Sequence, residues 1–77
     1  MPLYFFHVYD DLVARDDDGL ELPDASAAVS EAVRAARAIA AEQVSKGYLK
    51  LDHRIEVENA GGLVGTVTFR DAVAVQG

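Results

Sequence analysis

Residues 23–47 read PDASAAVSEAVRAARAIAAEQVSKG, and the reading of this stretch decides the fold. Val29, Val33, Ala36, Ala40 and Val44 recur at three- and four-residue steps, with Ala32 and Ile39 at their flanks. That is the period of one face of an α-helix. Pro23-Asp24 supplies a start, because the Asp24 carboxylate can accept a free first-turn N–H and face the positive end of the helix dipole. Lys46-Gly47 supplies a stop, a cation followed by a residue that tolerates the left-handed cap conformation. The pattern predicts a helix over about 24–46, with Glu31, Arg34, Glu42 and Lys46 on its wet face.

Outward from this helix the period changes to two. Residues 4–11, YFFHVYDD, place Tyr4, Phe6 and Val8 on one side of an extended chain and Phe5, His7 and Tyr9 on the other. This predicts a strand over about 3–10. A second, shorter stretch at 12–15 and 20–22 flanks Asp16-Asp17-Asp18-Gly19, which reads as a turn because short acids bond their own backbone and glycine accepts positive φ. Beyond the helix, about 53–59 alternates with Ile55 and Val57 on one side, Asn59-Ala60-Gly61-Gly62 reads as a hairpin turn, and about 63–69 returns. In that last strand Leu63, Val67 and Phe69 are expected inward and Val64, Thr66 and Thr68 outward. Arg70 to Val75 is either one helical turn or a further extended piece. The 77 residues thus predict a single small α+β domain over 1–77, in the order β-β-α-β-β, with one long helix packed on one face of a small, mainly antiparallel sheet.

Charge is distributed unevenly along the chain. The net charge is −6, and all of the excess lies before the helix, where Asp10, Asp11, Asp16, Asp17, Asp18, Glu21 and Asp24 face Arg15 alone. Phosphate backbones are repelled by such a surface, so the expectation is no nucleic-acid partner, whereas a basic protein partner suits it. Cysteine is absent, which excludes a disulfide framework, a thiolate nucleophile and the usual zinc sites. No apolar run approaches the roughly 20 residues of a membrane span, and no basic leader region opens the chain. The expectation is a cytoplasmic protein with no membrane partner.

Motifs for chemistry are sparse. His7 and His53 are the two histidines, on different strands, and a metal centre needs three or four converging ligands. His7 reads first as a partly covered strand residue, with a ligand- or metal-binding role as the alternative. If Gly19 is placed at the sixth position of a calcium loop, Ala14 and Ala25 fall where acids are required. Gly61, Gly62 and Gly65 have no following lysine and lead into a strand, so they form no phosphate loop. Ser26, Ser30 and Ser45 sit on the helix without a base beside them. No cofactor motif and no catalytic set emerges, and the expectation is a protein that is not an enzyme.

A resemblance is carried by M-P-x-Y-F-F-H at Met1–His7, D-x-x-G-x-E-L-P-D at Asp16–Asp24, the alanine-rich helix, and T-V-T-F-R-D-A at Thr66–Ala72. Together they resemble a family of short bacterial proteins described only as a domain of unknown function. The resemblance implies the strand and helix order and a bacterial cytoplasm, and no activity. More weakly, the aromatic strand, acidic glycine turn, P-D and Glu31-Ala32-Val33-Arg34-Ala35-Ala36 look like the N-terminal domain of HicB-type antitoxins, which neutralise a small basic toxin. The small-residue and cysteine motif that usually follows P-D there is missing, as is a DNA-binding tail. That likeness implies an adaptor whose acidic surface, Asp10, Asp11, Asp16, Asp17, Asp18 and Glu21, meets a basic partner.

One helix covers one sheet face, which leaves Phe5, His7, Tyr9 and Val64 as candidate interface residues on the other. Small chains gain from a second core, so the sequence predicts a homodimer through this face or through an edge strand. The functional expectation is a self-associating protein-interaction module.

Overall fold

The structure is a computed structural model that describes residues 2–73. Helix α1, Ala25–Ser45, starts and stops on the expected signals. Asp24 Oδ1 accepts the Ala27 N–H at 2.8 Å, and the chain leaves the helix through Gly47 at φ +94°. The buried line of α1 is Ala28, Ala32, Ala36, Ala40 and Gln43, with Val29, Val33 and Ile39 packed at its borders. Val44, expected within the buried stripe, is 59 % exposed. The smallest side chains take the centre because they let the helix axis approach the sheet, while the branched ones fill the wedges on either side.

Strands β1 (Leu3–Tyr9), β2 (Val13–Ala14), β3 (Leu20–Glu21), β4 (Arg54–Asn59) and β5 (Gly62–Thr68) form one antiparallel sheet. The order is β2-β1-β4-β5, with β3 also paired to β1. β2 pairs the far end of β1 (Val8 with Ala14) and β3 its near end (Tyr4 with Leu20). They are one edge lane interrupted by residues 15–19, which hold two more residues than continuous pairing would take. No helix among the described residues is long and apolar enough to cross a membrane.

The core lies between α1 and the sheet and contains Tyr4, Ile55, Val57, Val67 and Phe69 beside the helix alanines. Phe69, Ile55 and Val57 are its largest fully buried side chains, each worth about 1.5–3 kcal/mol of apolar transfer. Phe69 opens a short helix, α2 (Phe69–Ala72), whose first turn is capped when Thr68 Oγ1 accepts the Asp71 N–H. Arg37 Nε donates to the Ala72 carbonyl at 2.8 Å and ties α2 to α1. Of the two readings of Arg70 to Val75, the helical turn is the one found up to Ala72; residues 74 and 75 lie outside the described residues.

Register corrects one expectation in β5. Val57 pairs with Gly65 but Glu58 pairs with Leu63, so Val64 is an extra residue in a β-bulge. The bulge reverses the alternation. Val64 therefore packs toward the helix-side core and Leu63 turns outward, 61 % exposed.

Candidate functional site

The sheet face away from α1 presents cross-strand rows: Phe5 with Glu58 and Leu63, His7 with Glu56 and Thr66, Tyr9 with Arg54 and Thr68. The chain itself covers the middle of this face. His7 is only 4 % exposed, because residues 15–19 close over it. The Asp16 N–H donates to His7 Nδ1 at 3.0 Å, and His7 Nε2 lies 3.2 Å from Glu58 Oε2. A backbone N–H can only donate, so Nδ1 is the bare nitrogen and Nε2 carries the proton toward Glu58. Both ring nitrogens are thus engaged within the fold.

Asp16 is the counterpart of this bond. Its Oδ2 accepts the Phe6 N–H at 3.2 Å, and its Oδ1 accepts the N–H groups of Asp18 and Gly19, both at 3.1 Å. The carboxylate stands in for the missing lane between β2 and β3, pairing a β1 amide that no strand reaches. Burial raises the Asp16 pKa, but the amides of Gly19, Phe6 and Asp18 and the His7 ring outweigh it and hold the group below its ordinary value of 3.8. Gly19 follows at φ +75°, and a Cβ there would lie 2.9 Å from Leu3 Cγ and 3.0 Å from Phe5 Cε1. Only glycine fits this approach.

The other expected site residues are placed as follows. Tyr9 lies beneath the Arg54 guanidinium, 4.4 Å from the ring centroid, and Arg54 Nε also donates to Glu56 Oε2 at 2.9 Å. Val64, expected on this face, is on the other, as the bulge requires. Asp10 spends one oxygen on the Leu12 N–H, and Asp16 is half-buried, whereas Asp11, Asp17, Asp18 and Glu21 are exposed. His53 sits on the α1 side of the sheet, edge-on to Phe69 with centroids 5.6 Å apart. Gln43 Oε1 accepts the Lys50 N–H, which turns its Nε2 toward His53 Nδ1 at 3.1 Å. The two histidines therefore lie on opposite faces and cannot share an ion. Among the described residues no group of three or more His, Asp and Glu side chains is placed to hold a metal.

Open space remains at the near end of the outer face. Pro2, Leu3, Phe5, Asn59, Ala60 and Gly61 line an apolar groove of about 500 Å³. Its one polar side chain, Asn59, accepts the Gly61 N–H through Oδ1 at 2.8 Å. A smaller polar cleft of about 190 Å³ lies among Asp10, Ile39, Glu42, Gln43, Lys46 and Tyr48. The D-x-x-G turn was readable in the sequence; the groove and the reach of Asp16 to His7 and Phe6 left no local signal, since the first depends on β1 lying beside the Asn59–Gly61 hairpin and the second on β1 lying beside the arm.

Residues 3–70 match the model of the family described as Domain of unknown function (DUF6894), and the chain belongs to that family. No curated protein and no solved structure matches it.

Proposed function

We propose that this member of the DUF6894 family is a non-enzymatic protein-interaction module that self-associates, two copies pairing antiparallel through the outer edge of β5. The observation that carries this reading is the character of that edge. β5 ends the sheet order, no described element pairs its outer side, and Gly62–Thr68 contains no charged residue and no proline. Edge strands of monomers are usually blunted by lysine, proline or bulges. Here the bulge at Val64 is the one such device, and it leaves residues 65–68 straight.

Charge placement supports a second copy as the occupant. The acidic arm lies along the opposite edge, beyond β1. In a β5–β5 pair the two arms stand seven lanes apart, about 34 Å at ~4.8 Å per lane. That is several times the Debye length of about 8 Å at physiological salt, so the like charges do not oppose this arrangement. The small, alanine-rich core gives such a chain reason to gain burial from a partner.

Light scattering on the purified protein from ~1 µM to ~1 mM spans the weak range expected of a small interface. The mass is expected to rise from 8.3 kDa toward twice that value. Thr66→Lys, an exposed change on β5, is expected to hold the protein monomeric with an unchanged circular dichroism spectrum. A monomeric wild type throughout, or a Thr66→Lys variant that dimerises equally well, refutes the reading.

A further inference from the structure

We infer that the groove beside Phe5 is a docking site for a peptide segment of a second protein, one that inserts a large apolar side chain flanked by lysine or arginine. Its lining is Pro2, Leu3 and Phe5 from the start of the chain and Asn59, Ala60 and Gly61 from the hairpin. A volume of about 500 Å³ lies in the range of about 300–1,000 Å³ typical of ligand sites. The walls are also preformed: Leu3 and Phe5 are buttressed by Gly19, and the hairpin is held by the Asn59–Gly61 hydrogen bond. A preformed apolar slot avoids the ordering cost that weakens most peptide sites.

The surrounding charge selects the occupant. Glu21 pairs with Leu3 on one neighbouring strand and Glu58 with Phe5 on the other, the Glu58 carboxylate meeting His7 Nε2 at 3.2 Å, and Asp17 and Asp18 directly precede Gly19, so the β1 residues of the groove have acidic neighbours on both sides. No lysine or arginine occurs in residues 1–14 or 55–69, from which every groove residue comes. A second copy would bring the same acidic rim against itself, which like-charge repulsion opposes. A small polar ligand would need several convergent polar groups in the slot, and Asn59 is the one polar side chain among its lining residues. What suits both features is an apolar anchor for the slot with cations on either side for the rim. This site lies away from the β5 edge and does not depend on self-association.

The test pans a random heptapeptide phage library against the immobilised full chain. The selected peptides are expected to share a Leu, Phe or Trp with Lys or Arg on both sides. Synthesised, the best of them should shift the amide resonances of Leu3, Phe5, Ala60 and Gly61. Ala60→Trp, which fills the slot from an exposed position, should weaken binding by about tenfold or more. Leu3→Ala provides a second, milder loss should the tryptophan disturb the hairpin, and Thr66→Lys should bind as the wild type does. No enrichment over a blank surface, an acidic consensus, or resonance shifts confined to another face overturns the proposal.

Discussion

At Asp16 a single carboxylate takes the N–H groups of Phe6, Asp18 and Gly19 while the residue's own N–H is held by His7. Removing it strands a β1 amide and loosens the loop over His7. Asp16→Ala is therefore expected to cost about 1–3 kcal/mol at neutral pH, the usual penalty for leaving partly buried partners unpaired. The sign of the pH effect follows from the lowered pKa. Folding favours the ionised carboxylate, so its contribution is fully present above the ordinary value of 3.8 and is lost as pH falls through the lower folded value. Urea midpoints measured from about pH 7 down to about pH 2.5 should fall less steeply in Asp16→Asn than in the wild type. Equal slopes would show that the carboxylate is not ionised in these bonds. The turn itself was legible, because Asp and Gly at this spacing are a local signature; its grip on β1 was not, because nothing local links residue 16 to residues 6 and 7.

Helix α1 and strand β5 show where periodicity stops being sufficient. The helix and both its ends could be read from caps and spacing, as could the burial of Ala36 and Ala40, yet hydrophobicity alone put Val44 inside and left Ala28 out of the stripe. Packing centred the contact on an unbroken alanine line that adds Ala28 and Ala32 to Ala36, all wholly buried, because only a methyl group allows so close an approach. Ala36→Leu is expected to destabilise by about 1–3 kcal/mol through overpacking, although leucine is a good helix former. Val44→Ala should stay within about 0.5 kcal/mol. Thermal unfolding of the two variants checks the pair, and a harmless Ala36→Leu would mean the helix stands farther from the sheet. In β5 a single bulge exchanged the faces of Leu63 and Val64, because alternation counted from sequence assumes an unbroken ladder.

For the whole molecule, the placement of charge relative to edges makes a prediction of its own. If two copies meet along β5 with their acidic arms about 34 Å apart, raising salt from about 0.05 M to about 0.5 M should change the dimer constant by less than about threefold. If they meet through the outer face, the rims of Glu21, Glu58, Asp17 and Asp18 oppose each other and salt should strengthen the dimer markedly; analytical ultracentrifugation at the two salt concentrations separates the cases. The sequence by itself determined the α+β class, the helix with both its caps, the turn at Asp16–Gly19 and the hairpin at Asn59–Gly62, since each is set by residues within a few positions of one another. Only the tertiary structure decided that His7 lies under the chain's own arm, that the two histidines occupy opposite faces, that Val64 turns inward, and that an apolar groove opens beside Phe5. Those features depend on which strands become neighbours and in what register, and that is fixed by burial summed over the whole chain rather than by any short stretch of it.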